Sequence, residues 1–94
     1  MKLFRNDALV AEGKATRDPD SDVVAFDVDT WHVKDKDTDP WLRAKEATWT
    51  IEDGERRTDY AGRTLGVGSY RDEVRTLDID ATDPLGDHVN IDVR

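Results

Sequence analysis

Apolar residues recur at every second position along much of this chain, and turn residues separate the alternating segments. Residues 77–82 and 89–93 show the pattern most clearly, with Asp, Asn or Thr at the intervening positions. Because successive side chains of a strand point to opposite faces, this period predicts antiparallel strands with one buried and one solvated face. Folded about residues 84–86, the two segments form three apolar cross-strand pairs: Leu77 with Val93, Ile79 with Ile91 and Ala81 with Val89.

The alternation changes phase within residues 23–33. Val24, Phe26 and Val28 occupy even positions, whereas Trp31 and Val33 occupy odd ones. A slip of one residue inside a strand is what a β-bulge produces, since the bulge inserts one unpaired residue. We therefore predict a bulged strand here, with the bulge near Asp29-Thr30.

Two further turn signals divide the chain. Asn6-Asp7 breaks an opening strand pair at residues 2–16. Asp53-Gly54 predicts a two-residue type I′ hairpin turn, because both central positions of that turn need a positive φ. In that register Trp49 lies opposite Thr58.

The remaining stretch is less regular. Residues 62–69 contain three glycines, which predicts an irregular connection rather than a central strand, and residues 70–74 fit either one helical turn or a loop. The interpretation that follows is one all-β domain over residues 1–94. We expect an antiparallel β-sandwich or a partly open β-barrel of six to eight strands, with at most one short helix.

The charged residues indicate what kind of surface this fold has. The formal net charge is -8 on 94 residues, and Asp supplies 17 of the 22 acidic side chains. Such a surface stays hydrated and soluble but repels itself, and salt screens that repulsion. The composition therefore indicates a salt-adapted, halophile-like protein, and it disfavours direct binding to nucleic acid because phosphates would be repelled.

Other classes are excluded by what the chain lacks. There is no cysteine, which rules out disulfides and thiolate chemistry. The beginning of the sequence has no apolar stretch typical of a secretory signal, and no run approaches the length of a membrane span. We expect a cytoplasmic or virion location and no membrane partner.

Acid–base or nucleophilic catalysis finds little support. His32 and His88 are the only histidines, and Ser21 and Ser69 are the only serines. Acid–base chemistry needs a histidine near a nucleophile or a carboxylate partner, and we expect both histidines to be surface or edge residues. Neither serine lies in a Gly-x-Ser-x-Gly elbow. We expect no enzymatic activity and no obligatory cofactor.

An acidic loop is the best candidate for a cation site. Carboxylates at alternate positions collect around a hard cation, and the spacing over residues 35–46 matches positions one, three, five and twelve of an EF-hand loop. Pro40 stands where that loop needs glycine, so weak binding of Ca²⁺ or monovalent cations in a solvated turn is the competing interpretation. The candidate ligands are Asp35, Asp37, Asp39 and Glu46.

Arginines are concentrated in the middle of the chain. Five of them fall within residues 56–75, between aspartate-rich segments at 18–39 and 78–92. Copies of the protein could dock acidic ends onto this basic middle, and ordinary pairing within one molecule is equally consistent with it. Trp41, which we expect to be partly exposed, would add an aromatic anchor. The candidate interface residues are Trp41, Arg43, Arg56, Arg57, Arg63 and Arg71.

These features favour a non-enzymatic structural or assembly protein that associates with itself or with other subunits. A head, neck or tail component of a tailed virus from a high-salt host fits the small size and the acidic surface. One alternative is an acidic inhibitor that mimics nucleic acid, using the row of Asp78, Asp80 and Asp92 on one sheet face. A small cation-binding module is the other alternative.

Overall fold

The computed structural model describes residues 1–34 and 45–94, and within them seven β-strands form a closed barrel. Around the barrel the order is β1-β2-β3-β7-β6-β5-β4. The predicted all-β class and strand number are confirmed, with a closed rather than partly open barrel. The strands are β1 Lys2–Arg5, β2 Ala8–Arg17, β3 Val23–Trp31, β4 Ala47–Asp53, β5 Arg56–Tyr70, β6 Glu73–Thr82 and β7 His88–Val93.

Inward-facing apolar side chains fill the barrel. Trp49 and Phe26 are the largest of them and are fully buried, whereas Trp31 is half-buried. Trp41 lies outside the described residues. Small barrels of this kind are filled by side chains rather than holding a channel. The buried core also contains Leu3, Val10, Ala11, Val24, Val33, Ile51, Tyr60, Val74, Leu77, Ile79, Ala81, Val89, Ile91 and Val93.

The strand predictions based on alternation are confirmed. The β6–β7 hairpin has the predicted register, which includes Ile79 opposite Ile91. Asn6 and Asp7 form the turn between β1 and β2, with φ angles of 46° and 67°. Against β2, the register of β3 passes from Val28 to Thr30 and leaves Asp29 as the extra residue, so the bulge lies where the phase slip placed it.

The register predicted for the β4–β5 hairpin is wrong by two residues. Asp53 pairs with Arg56 and Trp49 faces Tyr60, so the turn residues are Gly54 and Glu55. Of these two, only Gly54 has a positive φ, 59°. A shift of two residues keeps every side chain on its predicted face, which explains why the apolar pattern could not detect it.

The prediction for residues 62–69 is also wrong, because they continue β5 rather than interrupt it. The strand absorbs their irregularity through two register shifts against β6, one between Thr64 and Gly66 and one after Gly68. Residues 70–74 contain neither a helical turn nor a long loop. Arg71 and Asp72 form a tight turn there, with φ angles of 53° and 61°.

A parallel seam between β3 and β7 closes the barrel. Its register runs from Val23 opposite Asn90 to Phe26 opposite Val93, and all other neighbouring strand pairs are antiparallel. Backbone hydrogen bonds extend the seam at both ends. The Asn90 N–H donates to the carbonyl oxygen of Asp22 at 2.7 Å, and the Val28 N–H donates to that of Arg94 at 2.6 Å.

The two ends of the barrel differ. At one end, which we call the mouth, β2, β4 and β6 end and β3, β5 and β7 begin. The β1–β2 and β5–β6 turns lie at the opposite end. Neither described segment contains a helix long and apolar enough to cross a membrane.

Candidate functional site

Three of the four predicted cation ligands, Asp35, Asp37 and Asp39, lie outside the described residues. Glu46 is exposed and immediately precedes β4. In residues 1–34 and 45–94, no three His, Cys, Asp or Glu side chains are grouped so that they could hold a metal ion. The cation site therefore stays a prediction.

The predicted interface residues are spread over the barrel. Trp41 and Arg43 lie outside the described residues. Arg56 begins β5 at the mouth, whereas Arg71 follows the last residue of β5 at the opposite end. Arg63 lies between them on an outward position. The structure does not bring these arginines into one patch.

Arg57 has partners within its own molecule. Its Nη2 lies 3.5 Å from Oδ1 of Asp7, and its Nη1 lies 4.0 Å from Oε2 of Glu52. The guanidinium also lies 6.0 Å from the ring centroid of Phe4. By contrast, Arg56, Arg63 and Arg71 form no ion pair with any residue of the described part of the chain.

A different surface stands out on the outer side of β5 and β6, and its shape comes from their irregular pairing. Leu65 is the extra residue of the first register shift and Arg75 is that of the second. A bulge changes the direction of the side chains around it, so both residues add to the outward row. We call this surface the hairpin face. It comprises Leu65, Gly66, Gly68, Tyr70, Arg71, Arg75, Asp78 and Asp92.

The raised part of the hairpin face is an aromatic side chain between two arginines. The Tyr70 ring is 55% exposed, and its centroid lies 5.0 Å from Cζ of Arg71 and 5.8 Å from Cζ of Arg75. Leu65 is 57% exposed on the same face. Large exposed apolar side chains close to arginine are typical of protein–protein contacts.

The recessed part of the hairpin face lies beside it. Gly66 and Gly68 present no side chain and line a groove of about 450 Å³, which is open above Gly66, whereas the Thr76 side chain covers Gly68. Asp78 and Asp92 are among the residues that line it. A Cβ added to Gly66 would meet no atom within 4 Å, which shows that the space above this residue is empty.

The acidic row of β6 and β7 continues from this groove toward the mouth, and its carboxylates have partners. Nδ2 of Asn90 donates to Oδ1 of Asp78 at 2.6 Å, and Nε of Arg94 donates to Oδ1 of Asp92 at 2.9 Å. Asp80 accepts from a histidine. The predicted row of Asp78, Asp80 and Asp92 therefore exists on one face, but it is balanced by neighbouring donors.

Near the mouth, His88 forms hydrogen bonds with two carboxylates. Its Nδ1 lies 2.9 Å from Oδ2 of Asp22, and its Nε2 lies 2.6 Å from Oδ1 of Asp80. Both carboxylates stabilise the imidazolium, so hydrogen bonds first to Asp22 and then to Asp80 raise the pKa of His88. The histidine joins the residue before β3 to β6 across β7, which places it at one end of the parallel seam.

Comparison with protein-family models, with curated proteins and with solved structures found no match.

Of the hairpin face, sequence reasoning identified only Arg71 as a candidate interface residue, because it treated residues 62–69 as a connection. Two signals could have located this face. Gly66 and Gly68 share one parity, which marks an open outward row in a strand. Tyr70 and Arg71 follow shortly after, and both residue types are enriched in protein–protein interfaces.

Proposed function

We propose that the protein is a non-enzymatic association module whose hairpin face docks onto the hairpin face of a second copy. The observation that carries this proposal is that one face holds both a projecting aromatic group, Tyr70, and a groove that is open above Gly66. An interface with two-fold symmetry needs a self-complementary patch of this kind. The projection of one copy would fill the groove of the other.

Charge supports the same arrangement. Arg71 and Arg75 flank the projection; Arg71 forms no ion pair with a described residue, and Nη2 of Arg75 lies 3.5 Å from Oε2 of Glu73. Asp78, which accepts a hydrogen bond from the neutral Asn90 amide, lines the groove. Docking two copies places arginines near carboxylates in both halves of the interface. Arginine suits such contacts because its planar group pairs with a carboxylate through two hydrogen bonds and also stacks on aromatic rings.

The net charge of -8 makes association dependent on salt. Two acidic copies repel each other at low ionic strength, and screening removes this repulsion while leaving the apolar contact intact. A structural subunit of a larger assembly in a saline environment fits these properties. A role in the head, neck or tail of a virus particle remains a prediction, and the docking described here does not depend on it.

Mimicry of nucleic acid has less support. A mimic needs free carboxylates that a basic groove can neutralise in place of phosphates. Here two of the three carboxylates in the row already pair with ionisable groups, Asp80 with His88 and Asp92 with Arg94, which leaves Asp78 with the neutral Asn90 amide.

Sedimentation velocity over a concentration series tests the proposal, with the protein in dilute buffer and in molar KCl. We expect a monomer–dimer equilibrium that shifts toward dimer in KCl. Replacing both Leu65→Ser and Tyr70→Ser should weaken dimerisation by about thirtyfold or more, the effect of losing one interface hot spot.

The matched control is Leu85→Ser. Leu85 is 89% exposed, more than Leu65 or Tyr70, but it lies in the loop between β6 and β7 at the mouth. This variant should dimerise like the natural protein. A natural protein that stays monomeric in both buffers, or a loss of dimer in Leu85→Ser equal to that in the double variant, contradicts the proposal.

A further inference from the structure

The side chains of the barrel do not fill its mouth. A cavity of about 280 Å³ opens there, and its apolar wall consists of Met1, Ala15, Val24 and Ile51. The inward residues at this level are small or short, as Ala15 and Thr58 show. Barrel mouths with an apolar wall and a few polar groups are common positions for small-molecule sites.

Arg17 is one of the polar groups at this cavity, and a buried carboxylate holds it in place. Its Nη1 lies 3.1 Å from Oδ2 of Asp83, whose side chain is only 3% exposed. Oδ1 of Asp83 accepts the backbone N–H groups of Leu85 at 2.9 Å and of Asp87 at 3.0 Å. These bonds, the one from Asp87 first, lower the pKa of Asp83, so this carboxylate stays ionised. A guanidinium has five N–H donors, so Arg17 is fixed and still has donors left.

Arg56 and Tyr60 are two further polar residues of the lining, which also includes Asp53 and Thr58. Arg56 forms no ion pair with a residue in the described ranges. Burial raises the pKa of Tyr60; the charge of Arg17 opposes this effect and that of Asp83 adds to it, so the hydroxyl keeps its proton and can donate. Two cations and a hydroxyl donor therefore meet at the edge of an apolar cavity.

We infer that the mouth binds a small organic monocarboxylate with an apolar body. Its carboxylate would accept hydrogen bonds from Arg17, Arg56 and the Tyr60 hydroxyl, and its body would contact the apolar wall. Arginine recognises a carboxylate through its planar fork of donors. Asp53 also lines the cavity and disfavours more highly charged anions such as phosphate. This site is separate from the hairpin face and does not depend on dimerisation.

Titration of the uniformly ¹⁵N-labelled protein with sodium hexanoate, followed by amide chemical shifts, tests the inference. We expect saturable shifts confined to mouth residues such as Ala15, Thr58 and Tyr60. Hexanamide has the same body without the charge, and it should bind about tenfold more weakly or worse, since hydrogen bonds to a charged group are worth more than neutral ones. Sodium phosphate should produce no saturable shift at the mouth.

Two variants complete the test. Arg56→Gln should weaken hexanoate binding about tenfold or more, whereas Lys14→Gln should leave it unchanged. Lys14 is exposed on β2 beside Ala15, but it does not line the cavity. The inference is overturned if hexanoate gives no saturable shift at the mouth, if hexanamide or phosphate binds as tightly, or if both variants weaken binding equally.

Discussion

Gly13 packs so closely against the backbone of β3 that no larger residue fits at this position. It lies in β2 opposite Val28 of β3, directly next to the bulge at Asp29. A Cβ built on Gly13 would lie 1.9 Å from the carbonyl oxygen of Asp27 and 3.0 Å from Cα of Val28. Because the clash is with backbone rather than a flexible side chain, the strands would have to separate to relieve it.

We therefore expect Gly13→Ala to destabilise the protein by about 3 kcal/mol, at the upper end of the cost of overpacking. Gly66→Ala is the matched control, since its Cβ would meet nothing within 4 Å. That change should alter the free energy of unfolding by no more than about 0.5 kcal/mol. Urea denaturation of both variants measures the free energies of unfolding. Equal stabilities would contradict the close approach of β2 and β3 at Gly13.

At the scale of elements, charged side chains connect the strands at one end of the parallel seam that closes the barrel. His88 lies at the mouth end of the seam between the carboxylates of Asp22 and Asp80, which raise its pKa above the ordinary value of 6.5. A group whose pKa is raised by folding stabilises the folded state fully below its unfolded pKa. That stabilisation is lost as the pH rises through the folded pKa.

The folded protein should therefore lose stability as the pH increases from about 6.5 into the range just above it, where the folded His88 titrates. Thermal unfolding at closely spaced pH values measures this loss. His88→Asn should abolish most of the dependence, because Asn carries no titrating proton. His32→Asn is the control and should retain it. An unchanged pH profile in His88→Asn would show that the histidine does not hold the seam.

Much of this architecture could be predicted from local alternation, and the exceptions are features that local alternation does not encode. The inward face of β3, the Asp29 bulge and the β6–β7 register all follow from short-range patterns. The two-residue shift of β4 against β5 keeps the same side chains inside, so apolar alternation cannot report it. The parallel pairing of β3 with β7 joins segments far apart in sequence, and no local signal encodes it.

The candidate sites were less predictable than the fold for a related reason. The arginine count pointed to residues 56–75, but a count does not give the face or the end of the barrel on which each arginine lies. The two bulges in the β5–β6 pairing decide that, because each adds a residue to the outward row. The mouth cavity combines Arg17, Arg56 and Tyr60 from distant parts of the chain, which only barrel closure brings together.

At the scale of the whole molecule, self-repulsion opposes the compact state. Twenty-two acidic and 14 basic side chains give a net charge of -8 on a barrel with a single hydrophobic core. Screening by salt weakens this repulsion in the folded state more than in the expanded unfolded chain, where the charges are further apart. Stability should consequently increase with ionic strength.

We expect the unfolding temperature to rise by roughly 5 °C or more between dilute buffer and molar KCl, since about 1 kcal/mol corresponds to about 4–8 °C in a domain of this size. Differential scanning calorimetry measures it. The control replaces Asp27, Asp29 and Asp87 by Asn, which removes three exposed carboxylates and should reduce the rise. A melting temperature that does not respond to KCl would refute the role assigned to charge.

The parallel seam also has a consequence for how the chain becomes a barrel during synthesis. β7 is synthesised after the other six strands of the barrel, and it lies between β3 and β6. Until it emerges, those two strands can only be the bare edges of an open sheet, ready to pair with any extended chain nearby. Translation must therefore reach β7 before pairing with this strand can cover the edges of β3 and β6 and so protect the nascent protein from aggregation.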